Sequence, residues 1–355
     1  MDIASFVPVA DAIPVHWFWL QSLLTATTFL HLVAMNVLLG SGIIALVIMF
    51  RRGEAARPLS CAVAESLPYS MALTVNLGVA PLLFVQVLYG QFFYTSSVLM
   101  AKLWFVVFAL LLIAYSLLYL HKVGMGTSRT SLTFLTIAVL MLLVISFIFA
   151  NNISLMQLPE NWLRYFDQRA GWLITKGDPV FLPRLFHFLA SAVAMGGLAI
   201  AVYFEFRRRR GDGDTDQWIR LGSTWFALTT GINFGIGFWF LGRIPSNLID
   251  LSHPVGQLYA ALILVSIPVA IVSVIRAMSG KIYPAAGWAL TAVLLMTIAR
   301  DCLRLEYLKP YFSLDILPQR AQYLPMVLFL LLFVGALYLT VWMIKLLHTS
   351  QEVQS

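Results

Sequence analysis

Two histidines, His31 and His187, each stand inside a long apolar stretch with no loop or helix end near enough to account for an ionisable group. His31 is the one ionisable residue between Trp17 and Phe50, and His187 follows a proline–arginine helix start at Pro183-Arg184. Ionisable side chains in hydrocarbon are costly and tend to mark function, and imidazole is a common ligand of haem and metal ions. Each histidine lies 20 positions (31 to 51, 187 to 207) before an arginine pair that closes its segment. At helical rise this separation is ~30 Å, which puts both imidazoles at one depth near the opposite face of a bilayer. Two buried histidines bonded to neighbouring helices are the plainer reading; the matched depth favours His31 and His187 as haem-iron ligands.

The elements that must position them are membrane helices. The chain is 60% hydrophobic and 11% charged, with a mean hydropathy of +0.86, which excludes a soluble globular domain. The expectation is an all-α polytopic membrane protein forming one domain over residues 1–355. Nine segments are long and apolar enough to span: about 17–50, 69–94, 101–121, 130–150, 182–205, 222–242, 255–276, 284–300 and 323–345. Pro68 and Pro81 interrupt the second. No basic region or small-residue cleavage site precedes the first, so it reads as a retained helix.

Basic residues gather in alternate loops: Arg51, Arg52 and Arg57, then Lys122 and Arg129, Arg207 to Arg210, Arg276 and Lys281, and Lys345. The positive-inside rule then sets the N-terminus outside and the C-terminus inside. The net charge of +7 reports this topology and not nucleic-acid binding. Trp17, Trp19, Trp162, Trp172 and Trp239 fit an outer aromatic belt. Two outer loops, about 151–181 and 301–322, are long enough to cap a cofactor or dock a partner. Cys61 and Cys302 fall on opposite sides and cannot pair. No C-x-x-C-H motif occurs, so any haem is held non-covalently.

Arg184, Arg243, Arg300 and Arg304 sit at outer helix ends, where haem propionates would need cations, or where interfacial arginines simply snorkel. Asn76, Gln86, Tyr89, Gln91 and Tyr94 make the second segment polar, and Asn233 is isolated in the sixth; helix packing explains these more simply than a pocket. His16, His121, His253 and His348 fall at interfaces, where a histidine needs no special account. Glu160, Asp178, Asp301 and Glu306 cluster outside. None lies mid-membrane, which argues against a proton pump.

Two stretches resemble subunit I of the cytochrome bd oxidase superfamily. The first is Leu20-Gln21-x-x-Leu24-Thr25-Ala26 followed by His31 and, nine residues on, Gly40. The second is Arg184-x-x-His187-x-x-Ala190-Ser191 followed by Gly196. The resemblance implies nine helices with an external N-terminus and haem bound through His31 and His187. The family's proton-delivering carboxylate is missing, because Pro81 is followed by Leu82 and Leu83. The quinol-binding loop shrinks to about 243–254, and the G-R-Q-P-W signature and helix-seven methionine are absent. Met195, Met296 or no protein group are the alternatives for a sixth ligand, and one bis-histidine haem is a variant.

The resulting expectation is a b-haem membrane subunit of a bd-like respiratory redox complex in a bacterial cytoplasmic membrane. It would exchange electrons with c-type cytochrome subunits outside, beside other membrane subunits that include a possible homologue. Whether such a complex reduces oxygen is open, and no catalytic residue is assigned. A transporter or a haem-free structural anchor is the alternative.

Overall fold

The computed structural model describes residues 3–124, 128–167, 169–213 and 215–352, with side chains left aside at 336, 340 and 343–352, so that His348 and Lys345 lie outside the described side chains. Among the described residues there are nine α-helices and no β-strand. They are α1 (Trp17–Arg52), α2 (Arg57–Leu99), α3 (Ala101–Val123), α4 (Arg129–Gln157), α5 (Phe181–Arg209), α6 (Asp216–Arg243), α7 (Pro254–Met278), α8 (Ile282–Leu308) and α9 (Tyr323–Glu352). Six helical stretches are long and apolar enough to cross a membrane, the first running from Trp17 to Leu99 through both α1 and α2. α6 is not among them, and α9 contributes a shorter apolar stretch, Tyr323–Leu339. This is the architecture of a multi-pass membrane protein.

Local chemistry sets the helix ends. The Phe18 amide donates to Nδ1 of His16, which caps α1, and Gly53, with φ of 53°, terminates it. Ser128 caps α4 by accepting from the Ser131 amide. Pro254 opens α7 in the first turn, where a missing N–H costs nothing.

Several helices outrun their apolar segments. α2 extends through both Pro68 and Pro81 and kinks instead at Tyr89, whose backbone is non-helical. α4 continues to Gln157 and α8 to Leu308, so the two long connections shorten to 158–180 and 309–322. Asp301, Arg304 and Glu306, placed in a loop by the apolar pattern alone, are therefore buried helical residues. His121, expected at an interface, is fully buried, with Ser131 hydrogen-bonded to its ring and backbone. Trp162, expected in an outer belt, is buried and donates to the Leu155 carbonyl, whereas Trp19, Trp172 and Trp239 are exposed.

The packing is built on close helix pairs, α1 with α2 and α5, α5 with α6, and α7 with α8. Glycines permit the closest crossings. A Cβ on Gly40 would lie 1.8 Å from the Ala192 carbonyl oxygen, and one on Gly197 would lie 2.8 Å from the Gly222 carbonyl oxygen. The small residues following His31 and His187 thus serve α1–α5–α6 contact.

One end of the bundle is rich in loops. There Asn151 receives the Thr175 amide and donates to the Leu173 carbonyl, Ser154 bonds to Asp178, and Asn152 donates to Ser96. The Asn151 and Ser154 bonds pin the 158–180 connection to α4, and the Asn152 bond ties α4 to α2. The N-terminal segment is tied to the 309–322 connection: Ile13 donates to the Pro318 carbonyl, Arg320 to that of Ile13 and Gln322 to that of Pro14. The Trp17 indole also donates to Asp315.

Candidate functional site

The cavity that concerns function lies between α5, α6, α7 and α8, with Leu32 and Asn36 of α1 and Ile153 and Gln157 of α4 completing its wall. It contains about 1660 Å³ of space between atoms, counting the part open to its surroundings. Its wall is mainly apolar, as ligand cavities are.

His187 lines this cavity from α5, joined by Arg184 one turn nearer the loop-rich end. α6 turns Asn233, Gly237 and Phe240 toward the same space. The imidazole lies nearly parallel to the Phe240 ring, with centroids 6.5 Å apart. A Cβ on Gly237 would lie 3.5 Å from Cε1 and 3.7 Å from Nδ1, so this edge of the ring faces α6. With Nδ1 against α6, Nε2 is the nitrogen left for the cavity. Asn233 donates through Nδ2 to Ser191 at 2.9 Å, while its Oδ1 and His187 Nδ1 form no well-shaped hydrogen bond although the two side chains are neighbours.

Both methionines considered from the sequence, Met195 and Met296, also line the cavity. Met195 is eight residues (187 to 195), or ~12 Å, along α5 from His187. Met296 is four residues, or ~6 Å, from Arg300 on α8, close to the ~4.5 Å between Arg184 and His187 on α5. Of the two, Met296 is the one at the depth of His187.

Buried polar atoms normally have partners, so those that lack them are informative. Among the described residues twelve buried side-chain nitrogen and oxygen atoms make no hydrogen bond, two of them being ion-paired instead, and five belong to this wall: Gln157 Oε1, the ion-paired Arg184 Nη1, His187 Nδ1, Asn233 Oδ1 and Tyr259 OH. Positive charge is concentrated here as well. Arg184 lies 4.0 Å from Asp178, Arg300 lies 3.5 Å from Asp301, and Arg304 lies 2.6 Å from the same Asp301. At the cavity, Arg184 and Arg300 are thus each set against one carboxylate, and both remain candidates for charge-assisted bonds to an anionic ligand.

The sequence-derived site residues do not all converge. Arg184, His187 and Arg300 meet at the cavity. Arg243 is exposed at the end of α6 and does not line it. Arg304 turns away, with its guanidinium 5.0 Å from the centre of the Tyr89 ring. It belongs to a buried network in which Thr25 and Gln21 donate to Asp301 at 2.6 and 3.2 Å, and Tyr89 donates to Gln21 at 2.8 Å. This network gives Gln21 and Thr25 of the first-helix motif a structural partner. The available signal was Pro310, the first helix breaker after Pro284, which leaves Asp301 and Arg304 on the helix.

His31 also stands apart from the cavity wall, against α2. Its Nδ1 is 3.0 Å from the Thr74 carbonyl oxygen, and a Cβ on Gly78 would come within 2.9 Å of Cε1. A carbonyl accepts only, so Nδ1 carries the proton and the Nε2 lone pair remains for another partner. That tautomer, fixed by a backbone carbonyl, is the one that a metal-ligating histidine uses.

Among the described residues no group of three or more His, Cys, Asp or Glu side chains could hold a bare metal ion. A metal carried in a macrocycle asks less of the protein, since the ring supplies four ligands. Neither a protein-family model nor a curated protein matches this chain.

Proposed function

We propose that this chain is a b-haem membrane subunit of a cytochrome bd-like redox complex, with its better-defined haem site in the α5–α8 cavity. The observation that carries the reading is the coincidence, in one largely apolar cavity, of a histidine, two arginines and five buried polar atoms that make no hydrogen bond. His187 would hold the iron through Nε2, and Met296 is the better placed methionine for a second protein ligand. Arg184 and Arg300 would hold the propionates by charge-assisted hydrogen bonds. Gln157 and Tyr259 offer further polar contacts at this rim, and the apolar wall excludes water. A haem bound there supplies one-electron chemistry. His31, its tautomer set by Thr74, would hold a second haem against α2.

In this reading the N-terminus and the 158–180 and 309–322 connections lie outside a bacterial cytoplasmic membrane, and c-type cytochrome subunits exchange electrons there. Other membrane subunits, one of them a possible homologue, complete the complex. Absence of the family's helix-two carboxylate and quinol loop favours electron relay over quinol oxidation.

The test is a dithionite-reduced minus oxidised absorption spectrum, with pyridine haemochrome quantification, on the wild type and on His187→Ala and His31→Ala. A b-type spectrum that loses a separate component in each variant supports two haems. A colourless protein, checked also in its intact complex, refutes the reading and returns the histidines to packing or transport.

A further inference from the structure

The α5–α8 cavity is longer than its polar part. Its wall runs on α6 from Leu241 to Phe226, on α7 from Tyr259 to Ser273, and on α8 from Leu303 to Ala289. These separations of 15, 14 and 14 positions agree on a length of ~21 Å, about two-thirds of a bilayer core. Of the five wall atoms that make no hydrogen bond, four fall in the half nearer the loop-rich end and the fifth, on Asn233, lies at mid-height. The inner half is bounded by Met195, Phe226, Ala270, Ala289 and Ala292, with no ionisable group.

Two of the hydroxyls toward that half are already used, and Thr230 of α6 adds a third to the wall. Ser273 donates to the Ala285 carbonyl at 2.7 Å and Ser266 to the Ile263 carbonyl at 2.9 Å. Ser266 and Ser273 therefore offer a ligand no donor, and beyond Thr230 and the mid-height Asn36 and Asn233–Ser191 groups the inner wall is hydrocarbon. The cavity is thus polar at one end and apolar at the other, the pattern of an amphiphile's head and tail. It also has a side approach from the lipid. α6 and α7 touch over a short stretch only, and Phe238, which lines the cavity, is 61% exposed.

We propose that the inner half binds a linear hydrocarbon tail, carried either by the prosthetic group or by a membrane lipid lying behind it. This rests on the haem reading of the polar half. A flexible chain fills a narrow apolar passage better than a rigid ring, and close van der Waals contact is what favours it there over bulk lipid.

The test is solvent extraction and mass spectrometry of the purified full chain, for the wild type, Ala270→Phe and Ala292→Phe. Each variant fills the inner half and leaves His187, Arg184 and Arg300 in place. A porphyrin bearing a hydrocarbon substituent, one per chain and several-fold depleted in the variants, supports the first source. Tail-free haem with about one tailed lipid per chain supports the second if the variants lose the lipid several-fold and keep the haem. Tail-free haem with no retained chain, or with a chain that neither variant depletes, overturns the proposal. A retained tail without any porphyrin refutes the haem reading while the tail site stands, and the absence of both refutes both. Two variants on different helices keep the result readable if one fails to fold.

Discussion

Replacing Gly40 by alanine should destabilise the bundle by about 3 kcal/mol, at the upper end of the usual cost of overpacking. The added Cβ would sit 1.8 Å from the Ala192 carbonyl oxygen, 2.6 Å from its carbon and 3.0 Å from Gly196 Cα. Ordinary contact begins near 3.4 Å, so α1 and α5 must separate by 1.6 Å (3.4 − 1.8). All three obstructing atoms are backbone, so no rotamer change relieves the clash. Helices in a membrane gain little from apolar burial and depend on this close contact. The same substitution at Gly231 of α6, with nothing within 4 Å of the added atom, should be neutral or stabilising by up to about 1 kcal/mol, because alanine is the better helix former. The assay is SDS-induced unfolding in mixed micelles, followed by circular dichroism. Gly40→Ala and Gly196→Ala together should cost less than the sum of the two, since either one already opens the same crossing. A Gly40→Ala protein within about 0.5 kcal/mol of Gly231→Ala would refute the close-crossing argument, since surface substitutions vary by that much.

Asp301→Ala should cost about 3–5 kcal/mol in the same assay, because Arg304 is only 3% exposed and would be left as an uncompensated buried charge. A loss below about 1 kcal/mol would place this pair among the weak surface bridges. In the connection between α6 and α7, Asp250 accepts hydrogen bonds from the Ser252 hydroxyl and amide, and these hold its carboxyl below the usual range. A lowered folded-state value stabilises this turn above the unfolded carboxylate pKa of about 3.9, and that contribution disappears as pH falls through the folded value. Ser252→Ala should therefore raise the Asp250 midpoint in a carbon-13 aspartate titration; an unchanged midpoint would remove the hydroxyl as the main cause.

The all-helical membrane class was legible from apolar runs alone, because a membrane helix needs a run about 20 residues long, whereas six stretches and not nine segments meet the length and hydropathy of a span. Helix ends were less so. α8 continues eight residues beyond Arg300 because nothing in Asp301–Leu308 breaks a helix, and a hydropathy window cannot distinguish a solvated end from a buried ion-paired one. The His187–Arg184 pairing was visible as one turn of a helix, whereas the meeting of these two with Arg300, Met296 and Asn233, each singled out on its own helix, depends on tertiary packing. Asn233 looked isolated because its partner, Ser191, is 42 residues away and on another helix. Arg243 and Arg304 show the opposite failure: equal position at a helix end does not imply equal direction, which depends on helix rotation.

The ties between residues 13–17 and 315–322 give the molecule an order of assembly. Trp17 and Asp315 are 298 positions apart, and synthesis proceeds from the N-terminus. The segment before α1 is among the first parts made, yet its hydrogen-bond partners come after eight further helices. Loop-closure entropy grows slowly with length, so this distance delays pairing more than it weakens it. The loop-rich face therefore closes late. A chain stopped after α8 would have most of its helix pairs and still leave its first residues without the strand-like partner that anchors them.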